Sequence, residues 1–139
     1  MTNLFAYGSL MCEDILFAVI SCRPAGSNAL LNDYYRSKIH NEEYPAIIPQ
    51  SKARVDGVLY PDLPGAAIEK LDVFEGAYYD RQDVQVFSEK CGEMEAMAYV
   101  LKPQYYQLLT YTEWSYAHFL AAGRQKFERA YLGFRDILE

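Results

Sequence analysis

Residues 95–101 form a strand with no polar face. With side chains alternating along a strand, Ala96, Ala98 and Val100 point one way and Met97, Tyr99 and Leu101 the other, and both sets are apolar. Such a strand belongs in the middle of a sheet, covered on both sides. A second run of the same kind opens the chain: Leu4-Phe5-Ala6-Tyr7 is continuously apolar and stops at Gly8-Ser9, which reads as a buried strand followed by a sharp turn.

The rest of the chain is read around these two strands. Residues 12–20 form a helix with Glu13 and Asp14 in its first turn, where the helix dipole favours negative charge, and Ile15, Leu16, Val19 and Ile20 in one stripe. Residues 29–39 and 45–48 have extended tendencies, and 54–60 alternates as a strand closed by Pro61 and Pro64. A helix over 66–75 stops at Gly76, the place for a left-handed cap, and strands follow at 83–87 and 95–101. From Gln104 onward the pattern is aromatic and helix-prone, with Trp114, His118 and Ala121 at helical intervals and Phe127, Tyr131 and Phe134 continuing them. The aromatic stretch from Tyr105 to Tyr116 reads as core or lid packing.

No repeat, low-complexity segment or linker divides the 139 residues, so a single domain over 1–139 is expected. Strands and helices do not alternate regularly, which argues against a doubly wound parallel sheet. The expected architecture is α+β: a small mixed β-barrel or strongly curved sheet with flanking helices.

Thirteen Lys and Arg against 19 Asp and Glu leave a net charge of -6, which opposes binding to nucleic acid or anionic lipid. No apolar run approaches the ~18 residues of a membrane span, and the first residues lack a secretory pattern, so a cytoplasmic protein with neither membrane nor nucleic-acid partner is expected. Cys12, Cys22 and Cys91 contain no C-x-x-C pair and read as reduced thiols. His40 and His118 have no Cys or acidic neighbour at a metal-binding interval, so no metal is expected; His40 reads as surface and His118 as packed or capping. Ser9 lacks the G-x-S-x-G setting of a nucleophile.

One carboxylate falls on the wrong face. In the 66–75 helix the core stripe is Ala67, Ile68, Leu71 and Phe74, and Glu75, four residues beyond Leu71, shares it, whereas Glu69 and Asp72 do not. Burial and the negative end of the helix dipole both raise a carboxyl pKa there, toward about 6 or 7, the range of a general base. Glu75 is therefore a candidate acid-base residue; snorkelling past Gly76 or an inert pair with Arg81 is the alternative. The turn Tyr7-Gly8-Ser9-Leu10 is the other candidate. It places backbone N–H groups between a buried strand and a helix start, where they can converge on an anion such as a ligand carboxylate, although such turns also serve merely to reverse the chain.

Tyr7-Gly8-Ser9-Leu10 together with Leu71-Asp72-Val73-Phe74-Glu75-Gly76-Ala77-Tyr78-Tyr79-Asp80-Arg81 resembles the gamma-glutamylcyclotransferase-like family, in its avirulence-induced-gene-like branch. Tyr44-Pro45-Ala46-Ile47, Val55-Asp56-Gly57-Val58-Leu59-Tyr60 and Ala98-Tyr99-Val100 extend the likeness over roughly residues 3 to 101, while the C-terminal third matches loosely. The resemblance implies a small mixed barrel with flanking helices and cofactor-independent release of 5-oxoproline from a gamma-glutamyl peptide or amine. It assigns substrate binding to Tyr7, Gly8, Ser9 and Leu10 and acid-base catalysis to Glu75, in a monomer or homodimer whose partner is a small gamma-glutamyl molecule. The alternative is a binding module that keeps the pocket without turnover. The leaving group would be chosen by loops such as 41–44 and by the C-terminal helices.

Overall fold

The computed structural model describes residues 2–131; Phe134 and the Tyr131 side chain, which the sequence pattern adds to the C-terminal stripe, lie outside what is described. The chain runs β1 (Thr2–Ala6), a 3₁₀ turn Ser9–Met11, α1 (Glu13–Ile20), β2 (Ser27–Ile39), β3 (Pro45–Leu63), α2 (Gly65–Glu75), β4 (Tyr79–Ser88) and β5 (Gly92–Leu101). It continues through a 3₁₀ segment Pro103–Leu108, β6 (Leu109–Glu113), α3 (Tyr116–His118), a π-helical segment Phe119–Gly123 and α4 (Arg124–Tyr131).

The fold is mixed α+β with a strongly curved sheet of order β3-β1-β5-β4-β2-β6. Because β3 also pairs with β2, the pairings β1–β3–β2–β4–β5–β1 return on themselves and β6 hangs from β2. Closure relies on two long strands serving different neighbours along their length. β2 pairs with β4 at Ala29–Leu31, and beyond an irregularity near Asp33 its later half holds β6 through Ser37↔Glu113 and Ile39↔Leu109. Among the described residues, β1–β5 is the one parallel pairing.

The two faces of β5 divide as the alternation predicts. Ala96, Ala98 and Val100 join Phe5, Ala29, Leu31, Val55, Leu59, Val84 and Val86, a cluster drawn from all five strands of the ring. Met97, Tyr99 and Leu101 join Leu4, Ala6 and the apolar stripes of α1 and α2. One set of strands thus carries two cores, one within the ring and one between the ring and the helices.

Two expectations are corrected. Pro61 does not close its strand: β3 continues to Leu63 because Pro61 and Asp62 sit in a bulge, where the register steps from Leu4↔Tyr60 to Thr2↔Leu63. A bulge tolerates a proline that cannot donate to the ladder, and the Asp62 N–H donates to Asn3 Oδ1 at 3.0 Å. The C-terminal third, in turn, is not helical from residue 104. It contains β6, and the helix starts only after Ser115, whose Oγ accepts the His118 N–H at 3.2 Å. Trp114 therefore precedes the helix, the π-helical turn resets the period, and the buried positions are Trp114, Phe119, Gly123 and Phe127, while His118 and Ala121 are exposed. Gly76 has the positive φ of 78° expected at a glycine stop, with an extended ψ of -162° in place of a left-handed helical one.

Candidate functional site

α2 presents Ala67, Ile68 and Leu71 to the core, with Phe74 partly buried, and leaves Glu69 and Asp72 exposed. Glu75 follows the buried stripe. The residue keeps some accessible surface, and it lines a cavity beside the Tyr7–Leu10 turn. Burial pushes the Glu75 carboxyl up to about 8, above the range expected from its position alone. Arg81 is not its partner: Arg81 Nη2 lies 3.7 Å from Asp72 Oδ2 on the solvent side of the helix. Asp72 also accepts the Tyr99 hydroxyl at 2.7 Å, so the neighbouring carboxylate absorbs the available donors while Glu75 faces the cavity.

The turn opposite Glu75 is held by its carbonyls. Arg36 Nη1 donates to the Tyr7 carbonyl at 2.9 Å, the Met11 N–H to Gly8 O at 2.9 Å, the Cys12 N–H to Ser9 O at 3.1 Å, and the Tyr60 hydroxyl to Leu10 O at 3.0 Å. All four carbonyls from Tyr7 to Leu10 thus have donors from the protein. The ladder of the turn begins at Met11 and does not use the N–H groups of Gly8, Ser9 and Leu10, so the backbone polarity left for a ligand there is positive. Gly8 is required by close approach: a Cβ at this position would meet Pro45 Cδ at 2.8 Å. Pro45 is fixed in turn by the Tyr79 hydroxyl, which donates to its carbonyl at 3.0 Å.

Tyrosines supply most of this bracing, each with a ring in apolar surroundings and a hydroxyl on a backbone or carboxylate acceptor. The Tyr7 hydroxyl donates to Tyr99 O at 2.6 Å, and burial, reinforced by the charge of Glu75, pushes its pKa well up. Burial first, and then the bond to Asp72, push Tyr99 up as well. Both stay neutral donors at ordinary pH, and Glu75 is the titratable group of the described cavity lining placed to change charge near neutrality.

Tyr7, Gly8, Ser9, Leu10 and Glu75 therefore line one cavity, although Leu10 and Glu75 are separated by most of α1, β2, β3 and α2. Its empty space, open mouth included, is about 590 Å³. Tyr79 lines it, whereas Tyr78 is exposed against the Tyr105 ring. The sequence pattern did not reveal Arg36, and it pointed to Tyr44 and Phe127 only through the 41–44 loop and the C-terminal helices that contain them. Tyr44 and Phe127 meet at 6.3 Å in the cavity wall. Arg36 spans from Tyr7 O to Asp56, donating to its carbonyl and its Oδ1 at 2.8 Å each, under the Trp114 ring. A lone Arg in an alternating strand was the only available signal of that role. Among the described residues no group of three or more His, Cys, Asp or Glu is arranged to hold a metal ion, and no helix is long and apolar enough to cross a membrane.

Comparison with known proteins places this geometry. Residues 4–116 match the family model described as gamma-glutamyl cyclotransferase, AIG2-like, further along the chain than the motifs alone extend. AIG2-like protein D of Arabidopsis thaliana is 31% identical over 85% of this chain and 82% of its own, and Protein AIG2 C of the same plant is 33% identical over 99% and 81%. A solution structure from Arabidopsis thaliana superposes with a TM-score of 0.72 at 26% identity, covering 99% of this chain and 82% of that one. A structure titled gamma-glutamyl cyclotransferase superposes at 0.64 over 73% and 66%, and at 18% identity it shares the fold.

Proposed function

The chain belongs to the gamma-glutamyl cyclotransferase, AIG2-like family, and from that premise we propose that it cyclises the gamma-glutamyl group of a small amide to 5-oxoproline and releases the amine. Tyr7, Gly8, Ser9 and Leu10 form the substrate-binding turn, Glu75 is the acid-base residue, and residues 1–139 act as one domain in the cytoplasm. The observation that carries the reading is the meeting, in one cavity, of a buried carboxyl with a turn whose four carbonyls accept from protein donors and whose own ladder leaves out the N–H groups of Gly8, Ser9 and Leu10.

Each half of that arrangement suits one part of a gamma-glutamyl amide. The N–H groups suit the substrate α-carboxylate or the oxyanion formed at the γ-carbon. The α-ammonium suits Glu75, whose ionisation it favours as an adjacent opposite charge. Glu75 takes a proton from the α-ammonium, the freed nitrogen attacks the γ-carbonyl carbon, and the bond from that carbon to the leaving nitrogen breaks. The two protons lost by the α-nitrogen depart on the amine, one of them carried by the Glu75 carboxyl. Attack within one bound molecule removes the cost of bringing two reactants together, so positioning and one proton carrier supply the catalysis.

The test is mass-spectrometric detection of 5-oxoproline after incubation with gamma-glutamyl amides and dipeptides, beside Glu75→Gln. Product from the parent protein, reduced about 10²- to 10⁴-fold in the variant, is expected for loss of a general base. Ligand binding without product from any substrate would transfer the site to the binding-module reading.

A further inference from the structure

We propose that the substrate's leaving amine is an apolar, aryl- or alkyl-bearing amine without a carboxylate, received by the wall of Tyr44, Phe74 and Phe127. This rests on the gamma-glutamyl reading above. The glutamyl part takes the turn N–H groups and Glu75, so the leaving group meets the rest of the lining.

What is left is aromatic. Phe127 stands edge-on to Tyr44 at 6.3 Å and to Phe74 at 6.1 Å. Phe119, 5.7 Å behind Phe127 and 5.6 Å from Trp114, backs the wall with further rings. Tyr79 and Tyr99 also line the cavity, but their hydroxyls already donate to Pro45 O and Asp72, so they add mainly ring carbon to the lining.

No Lys, Arg or His is among the described lining residues, and Arg36, Arg124 and Lys126 each point to other acceptors. Arg36 is bound to Tyr7 O and Asp56. Arg124 is held by Glu128 at 2.6 Å and Asp14 at 3.3 Å, and Lys126 extends toward Glu43 with 77% of its side chain exposed. A gamma-glutamyl amino acid or peptide would bring a second carboxylate against these rings with no counter-charge and would lose hydration without compensation. An apolar amine loses nothing of the kind and gains contact with a pre-packed wall. Of the three wall residues, Tyr44 and Phe74 lie within residues 4–116, which the family model matches, and Phe127 lies beyond them.

The experiment compares gamma-glutamyl-2-phenylethylamide with gamma-glutamylphenylalanine, which differ by one carboxylate, and with gamma-glutamylmethylamide, which lacks the ring. Rates of 5-oxoproline formation give kcat/KM for each. The phenylethylamide should exceed the phenylalanine conjugate at least about tenfold, the effect of one unpaired carboxylate, and the methylamide at least about fivefold, within the range for apolar contacts in a pocket. Phe127→Leu and Phe74→Leu should each shrink the phenylethyl-to-methyl ratio, which the folded fraction does not affect. Equal or faster turnover of gamma-glutamylphenylalanine, or an unchanged ratio in both variants, overturns this proposal and leaves the cyclotransferase reading standing. No 5-oxoproline from any of the three overturns both.

Discussion

The two faces of β1 and β5 have been given different work. Within the strand ring, Phe5 from β1 and Ala96, Ala98 and Val100 from β5 meet other strand residues in an apolar cluster that includes Tyr7, with Tyr34 packed against it. On the reverse of the same strands, Leu4, Met97 and Tyr99 meet α1 and α2 in a layer that also contains the cavity, Glu75 and most of the bracing hydroxyls. A period of two divides the packing by a single residue step, and the cavity lies where the two layers meet, with Phe5 and Tyr7 of the ring cluster in its lining beside Glu75.

Exchanging the damage between the faces gives the largest expected effects. Leu31, 1% exposed within the ring, should cost about 2–5 kcal/mol as Leu31→Ala, read by denaturant unfolding, with turnover per folded molecule retained. Glu75→Gln should do the reverse, removing turnover while the unfolding midpoint holds or rises. If Leu31→Ala also lowers turnover of the folded fraction, the two faces are not independent.

The pH dependence sharpens the comparison further. Glu75 binds its proton more tightly folded, near 8, than unfolded, near 4.5. Between those values the folded state holds more protons, so its stability falls as pH rises through that window. At pH 7 the penalty is about 3 kcal/mol, from about 1.4 kcal/mol for each pH unit above the unfolded value. Unfolding free energies at pH 5 and pH 8 should differ in that direction for the parent protein, and the difference should largely vanish in Glu75→Gln. An unchanged slope in the variant would place the penalty on another group.

The same separation explains what could be read from the sequence. The alternation in 95–101 and the helical period that puts Glu75 after Leu71 are local patterns, and each matched the face observed. The turn at Gly8 was legible because glycine marks close approach, although its neighbour Pro45 was not named by any local rule. The 41–44 loop and the C-terminal helices were legible as segments, but the wall itself was hidden because Tyr44, Phe74 and Phe127 come from three distant segments joined only by the closed fold. The C-terminal period failed at Trp114, an apolar residue just outside the helix, and at the π-helical turn that spaces Phe119, Gly123 and Phe127 four apart. Arg36 was missed because a lone cation in a strand reads as solvent-facing until the Tyr7 carbonyl is seen beside it.

Two glycines give a smaller contrast. A Cβ at Gly57 would press on the Ala6 carbonyl oxygen and lie 2.7 Å from the Phe5 ring, while one at Gly8 would press on Pro45. Gly57→Ala should lower stability by about 1–3 kcal/mol, as overpacking does. Gly8→Ala should displace the turn and show chiefly as a raised KM.

Arg36 joins the two faces, and its effect should be the smallest and the most informative. It stands on β2, its side chain only 11% exposed, and reaches the Tyr7 carbonyl at the site and Asp56 on β3. Donation to the Tyr7 carbonyl polarises that peptide, and the same peptide contains the Gly8 N–H, so a charged donor on one end strengthens the donor on the other. If the cation acts through the turn, Arg36→Met should raise KM about tenfold, comparable to one charge-assisted hydrogen bond, with kcat changed far less, because Glu75 is untouched. Arg36→Lys should recover part of the loss by keeping the charge, though a single ammonium lacks the planar fork that spans both acceptors. If both variants lose stability and leave KM alone, Arg36 belongs to the ring and the site is held by Tyr60 and Pro45 without it.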